Sequence, residues 1–201
     1  MRGGVLAGGA AGRYGGIPKG LLEVRGQRIL DRVVDTMAGV LNEMPLLIAN
    51  APDAATWRPD LNTLADVRPG FGTLGGIYTA VTAGEGPELW PAWDMPFLSA
   101  PLLGALVDWF EDSDYDAVLP ESSGRRGLEP LCAVYGPACG PAIEKRLAAG
   151  DLRAISFHPD VRVGILSLAR VRELGDPAQL FFNVNAPADL ERAEAMWQQR
   201  A

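Results

Sequence analysis

Gly4-Val5-Leu6-Ala7-Gly8-Gly9-Ala10-Ala11-Gly12-Arg13-Tyr14-Gly15-Gly16-Ile17-Pro18-Lys19-Gly20-Leu21-Leu22 stands at the head of the chain, and the rest is read outward from it. The apolar run Val5-Leu6-Ala7 predicts a buried strand. The glycines after it leave peptide N–H groups unscreened by side chains, so successive amides can converge on an anion. Arg13 and Lys19 bracket the loop, Arg13 with a planar fork and Lys19 with a point charge, and each suits a phosphate oxygen. Glycine content alone leaves two readings open, a phosphate cradle or a flexible turn after an edge strand.

Two better-known phosphate loops do not fit. The dinucleotide fingerprint needs G-x-G-x-x-G opening a long helix, whereas Gly8, Gly9 and Gly12 have another spacing and Pro18 would break such a helix. The Walker loop needs Gly-Lys before Ser or Thr, but Lys19 lies between Pro18 and Gly20.

Downstream, residues 21–24 read as a short extended piece closed by a turn at Arg25-Gly26. Ile29, Leu30, Val33, Val34, Met37, Val40 and Leu41 recur at helical spacing and predict a helix packed on a sheet. Leu46-Leu47-Ile48-Ala49 reads as a second buried strand that delivers Asn50 at its end. Strand, helix, strand is a βαβ unit, whose ligands bind beyond the carboxyl ends of the strands. Residues 51–62 read as a surface excursion and 63–66 as a short strand ending in Asp66. Residues 70–76 form a second glycine loop, followed by a helix from Ile77.

Residues 89–93 read as the central strand carrying Asp94, although Pro91 removes a ladder donor. Asp94 is read either as a held carboxylate or as a solvated turn residue. Ser99 is placed to cap a helix that buries Leu102, Leu103, Leu106, Val107 and Phe110. Further strands are read at 117–119, 128–135, 161–168 and 181–185, with a mobile loop at 121–127 and helices at 143–149 and 190–199. Asn185 with Pro187 and Asp189 makes a sound start for the last helix. The expectation is α/β: one domain over 1–201, a three-layer, Rossmann-like fold with a mostly parallel sheet and helices on both faces.

The 201 residues suffice for such a core, and 48% hydrophobic content with a mean hydropathy of +0.06 fits a globular chain. No run approaches a membrane span and no signal-peptide stretch opens the chain, so the expected location is cytoplasmic. With Cys132, Cys139 and the single His158 as its candidates, a structural zinc site is not expected, and the two cysteines read as inert thiols in a reducing compartment. A net charge of −7 argues against nucleic acid and anionic membranes as partners. It also means that a polyanionic substrate must meet local cations and Mg²⁺.

The loop with Lys19, then Asn50, Asp66 and Asp94, each of the last three after an apolar run, converge on one chemistry. In these blocks the chain resembles the molybdenum cofactor guanylyltransferase family. The matching stretches are 6–22, 66–77, Asp94-Met95-Pro96-Phe97-Leu98, Glu129-Pro130-Leu131, and Phe182-Asn183-Val184-Asn185 with Pro187, Asp189 and Leu190.

The resemblance implies transfer of GMP from GTP to the terminal phosphate of molybdopterin, with release of pyrophosphate. It implies a nucleotide-binding part over about 1–98 and an acceptor-side part over about 99–201. Leu6 and Ala7 would contact guanine, Gly8, Gly9, Gly12 and Arg13 the phosphates, and Lys19 would neutralise them. Asn50 and Asp66 correspond to residues that hold base and ribose, Asp94 to the ligand of Mg²⁺, and Asn183 and Asn185 to acceptor-side asparagines. For Asn185, capping of the last helix remains an equal alternative. Transient contact with cofactor-biosynthesis proteins or molybdoenzymes is implied too.

The chain departs from the family pattern at Tyr14, Thr73, Ala186 and Ala188. The rival readings are a cytidylyltransferase acting on a pterin, sugar or polyol phosphate, and a nucleotide-binding paralogue without turnover. Arg125 and Arg126 either meet the acceptor or are solvated.

Overall fold

The computed structural model describes residues 1–8, 16–84, 86–124 and 127–199. Nine strands and seven α-helices alternate along them: β1 (Arg2–Ala7), β2 (Glu23–Val24), β3 (Gln27–Arg28), α1 (Ile29–Leu41), β4 (Leu46–Ala49), β5 (Thr63–Leu64), α2 (Gly72–Ala83), β6 (Glu88–Pro91), α3 (Ala100–Glu111), β7 (Ala117–Pro120), β8 (Cys132–Tyr135), α4 (Cys139–Ala148), β9 (Val163–Leu166), α5 (Leu168–Leu174), α6 (Pro177–Leu180) and α7 (Pro187–Gln198). Short 3₁₀ turns lie at Lys19–Leu21, Ala54–Thr56 and His158–Asp160.

Seven strands form one sheet in the order β5-β4-β1-β6-β8-β7-β9. All neighbours pair in parallel except β8, which runs antiparallel to both β6 and β7. The mostly parallel three-layer expectation therefore holds, with one reversed strand in its second half.

Strands buried on both faces read as continuous apolar runs, because successive side chains point to opposite sides. Val5, Leu47, Leu89 and Val118 pack with α1 and α3 on one face, which α5, α6 and α7 extend. Leu6, Ile48, Trp90 and Leu119 pack with α2 and α4 on the other. Arg25 and Gly26 turn the β2–β3 hairpin at φ 54° and 72°, the left-handed pair that matches strand twist.

Several boundaries differ from the sequence reading. α2 begins at Gly72, inside the second glycine loop. Its glycines lower helix propensity, but burial of Leu74, Ile77, Ala80 and Val81 overrides that weak preference. α4 likewise starts four residues before Ile143, and in α3 Val107 and Phe110 are half-buried rather than buried. β6 ends at Pro91, the residue that can no longer donate to a ladder, so Asp94 lies in the turn beyond the strand.

Of 128–135 only 132–135 is strand, and 161–168 shrinks to 163–166. Residues 181–185 form no strand, because the Val184 N–H donates to the Asp94 carbonyl instead of to a ladder. Nor is 51–62 a plain surface excursion. Ala54, Trp57 and Leu61 are buried, and Arg58 bridges to Asp31 of α1 at 3.3 Å. In the loop read as mobile, Ser122 N–H donates to the Gly127 carbonyl and Glu121 bridges to Leu128, while Arg125 and Arg126 lie outside the described residues.

At the amino end of β6, Glu88 is buried with no hydrogen-bond partner on either carboxylate oxygen among the described residues. Burial pushes its carboxyl from the ordinary 4.5 up to about 7, against the pull of the Arg2 charge and with added repulsion from Glu43. Between those values the folded chain holds a proton that the unfolded chain has released. Stability therefore falls as pH rises through that window and levels off above it. Glu88→Gln is expected to remove the slope and to be more stable than the parent at about pH 8, by about 2 to 3 kcal/mol. Thermal melts across the window check this, and parallel curves for the two proteins would place the pH dependence in other groups.

Candidate active site

A cleft of about 970 Å³ lies beyond the carboxyl ends of β1, β4 and β6. Parallel strands deliver their last residues to one sheet edge, and this is where an open α/β sheet leaves room for a ligand. Leu6, Ala7 and Gly8 come from the end of β1, Asn50 from just past β4, Asp66 from just past β5, and Asp94 from the turn after β6. Lys19 enters on its 3₁₀ turn. Asn183 and Asn185 reach the same cleft from the segment before α7.

The structure thus brings together every described residue singled out from the sequence. Gly9, Gly12 and Arg13 lie outside the described residues. Asn185 is not the cap of α7; that position falls to Ala186, and Asp189 accepts the backbone N–H groups of Asn185 and Ala186 at 3.0 and 2.8 Å. The Asn185 side chain is thereby left for another partner.

That partner is Lys19. Its Nζ donates to Asn185 Oδ1 at 2.7 Å and stands 3.7 Å from Asp94 Oδ2. Both charged side chains are largely buried, with 14% and 12% of their surface exposed. Burial pushes the Asp94 carboxyl above its ordinary range, and the Lys19 charge pulls it back only in part. Asp94 is therefore a held, under-neutralised carboxylate and not a solvated turn residue.

Asn50 and Asp66 form a second pair. Asn50 Nδ2 donates to Asp66 Oδ2 at 2.6 Å, and Asn50 Oδ1 accepts the Asp66 N–H at 2.8 Å. The reciprocal bonds orient both side chains at the rim of the cleft.

Other cleft residues carried no assigned role in the sequence reading. The turn before α2 and its first residues contribute Gly70, Gly72, Thr73 and Gly76, and the strand-free segment before β8 contributes Glu129, Pro130 and Leu131. Both stretches are matching blocks, which is the signal that pointed to them. Trp93, Leu128 and Ala154 also line the cleft, and no spacing argument singles them out.

Among the described lining residues Lys19 is the one cation, against the acids Asp66, Asp94 and Glu129. Such a lining receives a polyanion only with further positive charge. No group of three or more His, Cys, Asp or Glu side chains with metal-ligand geometry occurs among the described residues. A hard cation that takes one or two carboxylates and completes its shell from substrate oxygens and water needs no such group. The buried Asp94 carboxylate fits that requirement.

No described helix is long and apolar enough to cross a membrane.

The family model described as the MobA-like NTP transferase domain matches residues 3–162. The chain is 36% identical over 194 residues to the molybdenum cofactor guanylyltransferase of Desulfosudis oleivorans, covering 95% of this chain and 93% of that one. It is also 36% identical over 195 residues to a probable molybdenum cofactor guanylyltransferase of Pelotomaculum thermopropionicum, covering 96% and 91%. Among solved structures, a molybdopterin-guanine dinucleotide biosynthesis protein A from Archaeoglobus fulgidus superposes with a TM-score of 0.83 at 24% identity, over 99% of this chain and 100% of the other. A 4-diphosphocytidyl-2C-methyl-D-erythritolsynthase from Anaerococcus prevotii has the same fold, with a TM-score of 0.72 at 14% identity over 96% and 94%.

Proposed function

The chain belongs to the MobA-like NTP transferase family and is a nucleotidyltransferase; from that premise we propose that it transfers GMP from GTP to the terminal phosphate of molybdopterin. The observation that carries this reading is Lys19 held between Asn185 and Asp94 at the mouth of the first βαβ unit. One cation there touches the residue assigned to Mg²⁺ and a residue assigned to the acceptor.

In the proposed reaction a phosphate oxygen of the pterin attacks the α-phosphorus of GTP in line. The bond from that phosphorus to the bridging oxygen breaks, and pyrophosphate leaves with the electron pair. The attacking phosphate is already anionic, so no strong base is required. Positioning and charge neutralisation supply most of the rate enhancement for such a transfer.

Residues of 1–98 hold the nucleotide: Leu6 and Ala7 face the guanine, Gly8 and Lys19 the phosphates, and the Asn50–Asp66 pair the ribose and base. Arg13, Gly9 and Gly12 belong to the same loop in this reading. Residues of 99–201 carry the acceptor, with Asn183 and Asn185 on that side. Mg²⁺ held by Asp94 would offset charge on the phosphates of substrate and leaving group. Contacts with molybdoenzymes or other cofactor-biosynthesis proteins would be transient ones at product release.

The test is calorimetric titration with GTP, CTP, ATP and UTP, each with and without Mg²⁺, followed by pyrophosphate release on adding molybdopterin. Selective binding of Mg·GTP with acceptor-dependent pyrophosphate release is the expected result. Preference for CTP would change the product and keep the chemistry. Binding of GTP with no pyrophosphate release would overturn the enzymatic assignment of these residues.

A further inference from the structure

One side chain ties the end of β1 to the turn that carries Lys19. Trp93, only 3% exposed, sits immediately before Asp94. Its backbone N–H donates to the Leu6 carbonyl at 3.3 Å, and its indole Nε1–H donates to the Gly8 carbonyl at 3.2 Å. Trp57 stacks on the ring with centroids 5.1 Å apart, and Trp57 is itself held by Nε1 donating to Asp53 Oδ2 at 3.1 Å. Gly20 presses against the ring so closely that a Cβ there would lie 2.4 Å from an indole carbon.

A bicyclic ring clamped in this way is a rigid spacer, since close-packed interiors transmit displacement rather than absorb it. Gly8 on one side and Gly20 on the other are both referenced to it. The distance between the β1 end and Lys19 is therefore set by the indole.

We propose that Trp93 is a positioning residue that, through Gly8 and Gly20, fixes Lys19 against the end of β1 in the geometry that receives the nucleotide's phosphates. The proposal rests on the nucleotide reading above. It assigns the Trp57–Trp93 stack to phosphate recognition, a role distinct from filling the core.

Trp93→Phe keeps a ring against Trp57 and Gly20 and removes the indole donor, whereas Gly20→Ala keeps the donor and displaces the ring. Each is expected to weaken GTP about fivefold to tenfold, the worth of one neutral hydrogen bond, while guanosine affinity stays within about twofold. The double variant should lose little more than the worse single one, because both act through the same ring. Melting temperatures serve as the fold control. Unchanged GTP affinity, equal losses for GTP and guanosine, or losses that multiply in the double variant would each overturn the proposal.

A second measurement does not depend on nucleotide binding. The Trp93 indole N–H resonance, identified by its absence in Trp93→Phe, should shift in Gly20→Ala together with the Gly8 carbonyl carbon, while the Trp109 indole stays in place. If the parent protein binds no GTP, the functional reading fails. The resonances still decide whether Gly20 and Gly8 are coupled through Trp93, and an unmoved pair sinks the coupling.

Discussion

Asp94→Ala is expected to lower turnover by about a hundredfold to a thousandfold or more, the scale of losing one preorganised charge contact to the transition state. The chain should still fold. Burial disfavours the ionised Asp94, and Lys19 at 3.7 Å offsets only part of that penalty. Removing the carboxylate relieves one desolvated charge but leaves the largely buried Lys19 ammonium without its counter-charge and with Asn185 as its hydrogen-bond partner, so the melting temperature is expected to fall while the fold persists.

Single-turnover assays with GTP and acceptor, beside thermal melts, check both halves. A variant with near-normal rate would remove Asp94 from the proposed chemistry. A variant that is inactive and also unfolded would show that the carboxylate supports the turn after β6. Asp94→Asn then separates shape from charge, since it keeps the volume and should be as inactive as Asp94→Ala.

Lys19→Ala should weaken GTP binding by about tenfold to a hundredfold, as expected for a charge-assisted contact, with guanosine affinity almost unchanged. Equal losses for both ligands would mean that the lysine acts through structure alone. The structure adds a second expectation, because the substitution leaves Asp94 buried without its cation. The Asp94 carboxyl then rises further above its ordinary range, and the folded chain holds this proton to higher pH than the unfolded chain does. Stability of Lys19→Ala should accordingly fall as pH rises from the acid side toward neutrality, more steeply than in the parent. Adding Asp94→Asn to Lys19→Ala should flatten that slope. Melts of the parent and both variants over that range measure it directly.

Much of this site could be read in the chain because parallel strands end in order. A short apolar run that gives way to glycine or a polar residue marks the carboxyl end of a buried strand, and Ala7–Gly8, Ala49–Asn50 and Leu64-Ala65–Asp66 follow that rule. Asp94 was reached by the same logic although the strand proper stops at Pro91: Ala92 still bridges to Leu6, and the turn that carries Asp94 opens at Trp93.

The helix starts were less legible. Gly72, Gly75 and Gly76 read as loop on propensity, and their helical state depends on the apolar face that α2 buries against the sheet. Asn185 was equally suited to cap a helix or to face the cleft. The choice depends on where α7 begins, which no local pattern reveals.

The chain by itself determined the layers, the β1–loop–α1–β4 unit and the line of polar residues along one edge, because strand and helix periodicity and glycine spacing are local properties. Only the tertiary structure decided that β8 runs against its neighbours, that Asn185 bonds Lys19 across the molecule, and that Trp93 joins Gly8 to Gly20. Those relations link residues tens to more than a hundred positions apart. They follow from packing around a shared core, and packing leaves no period in the sequence.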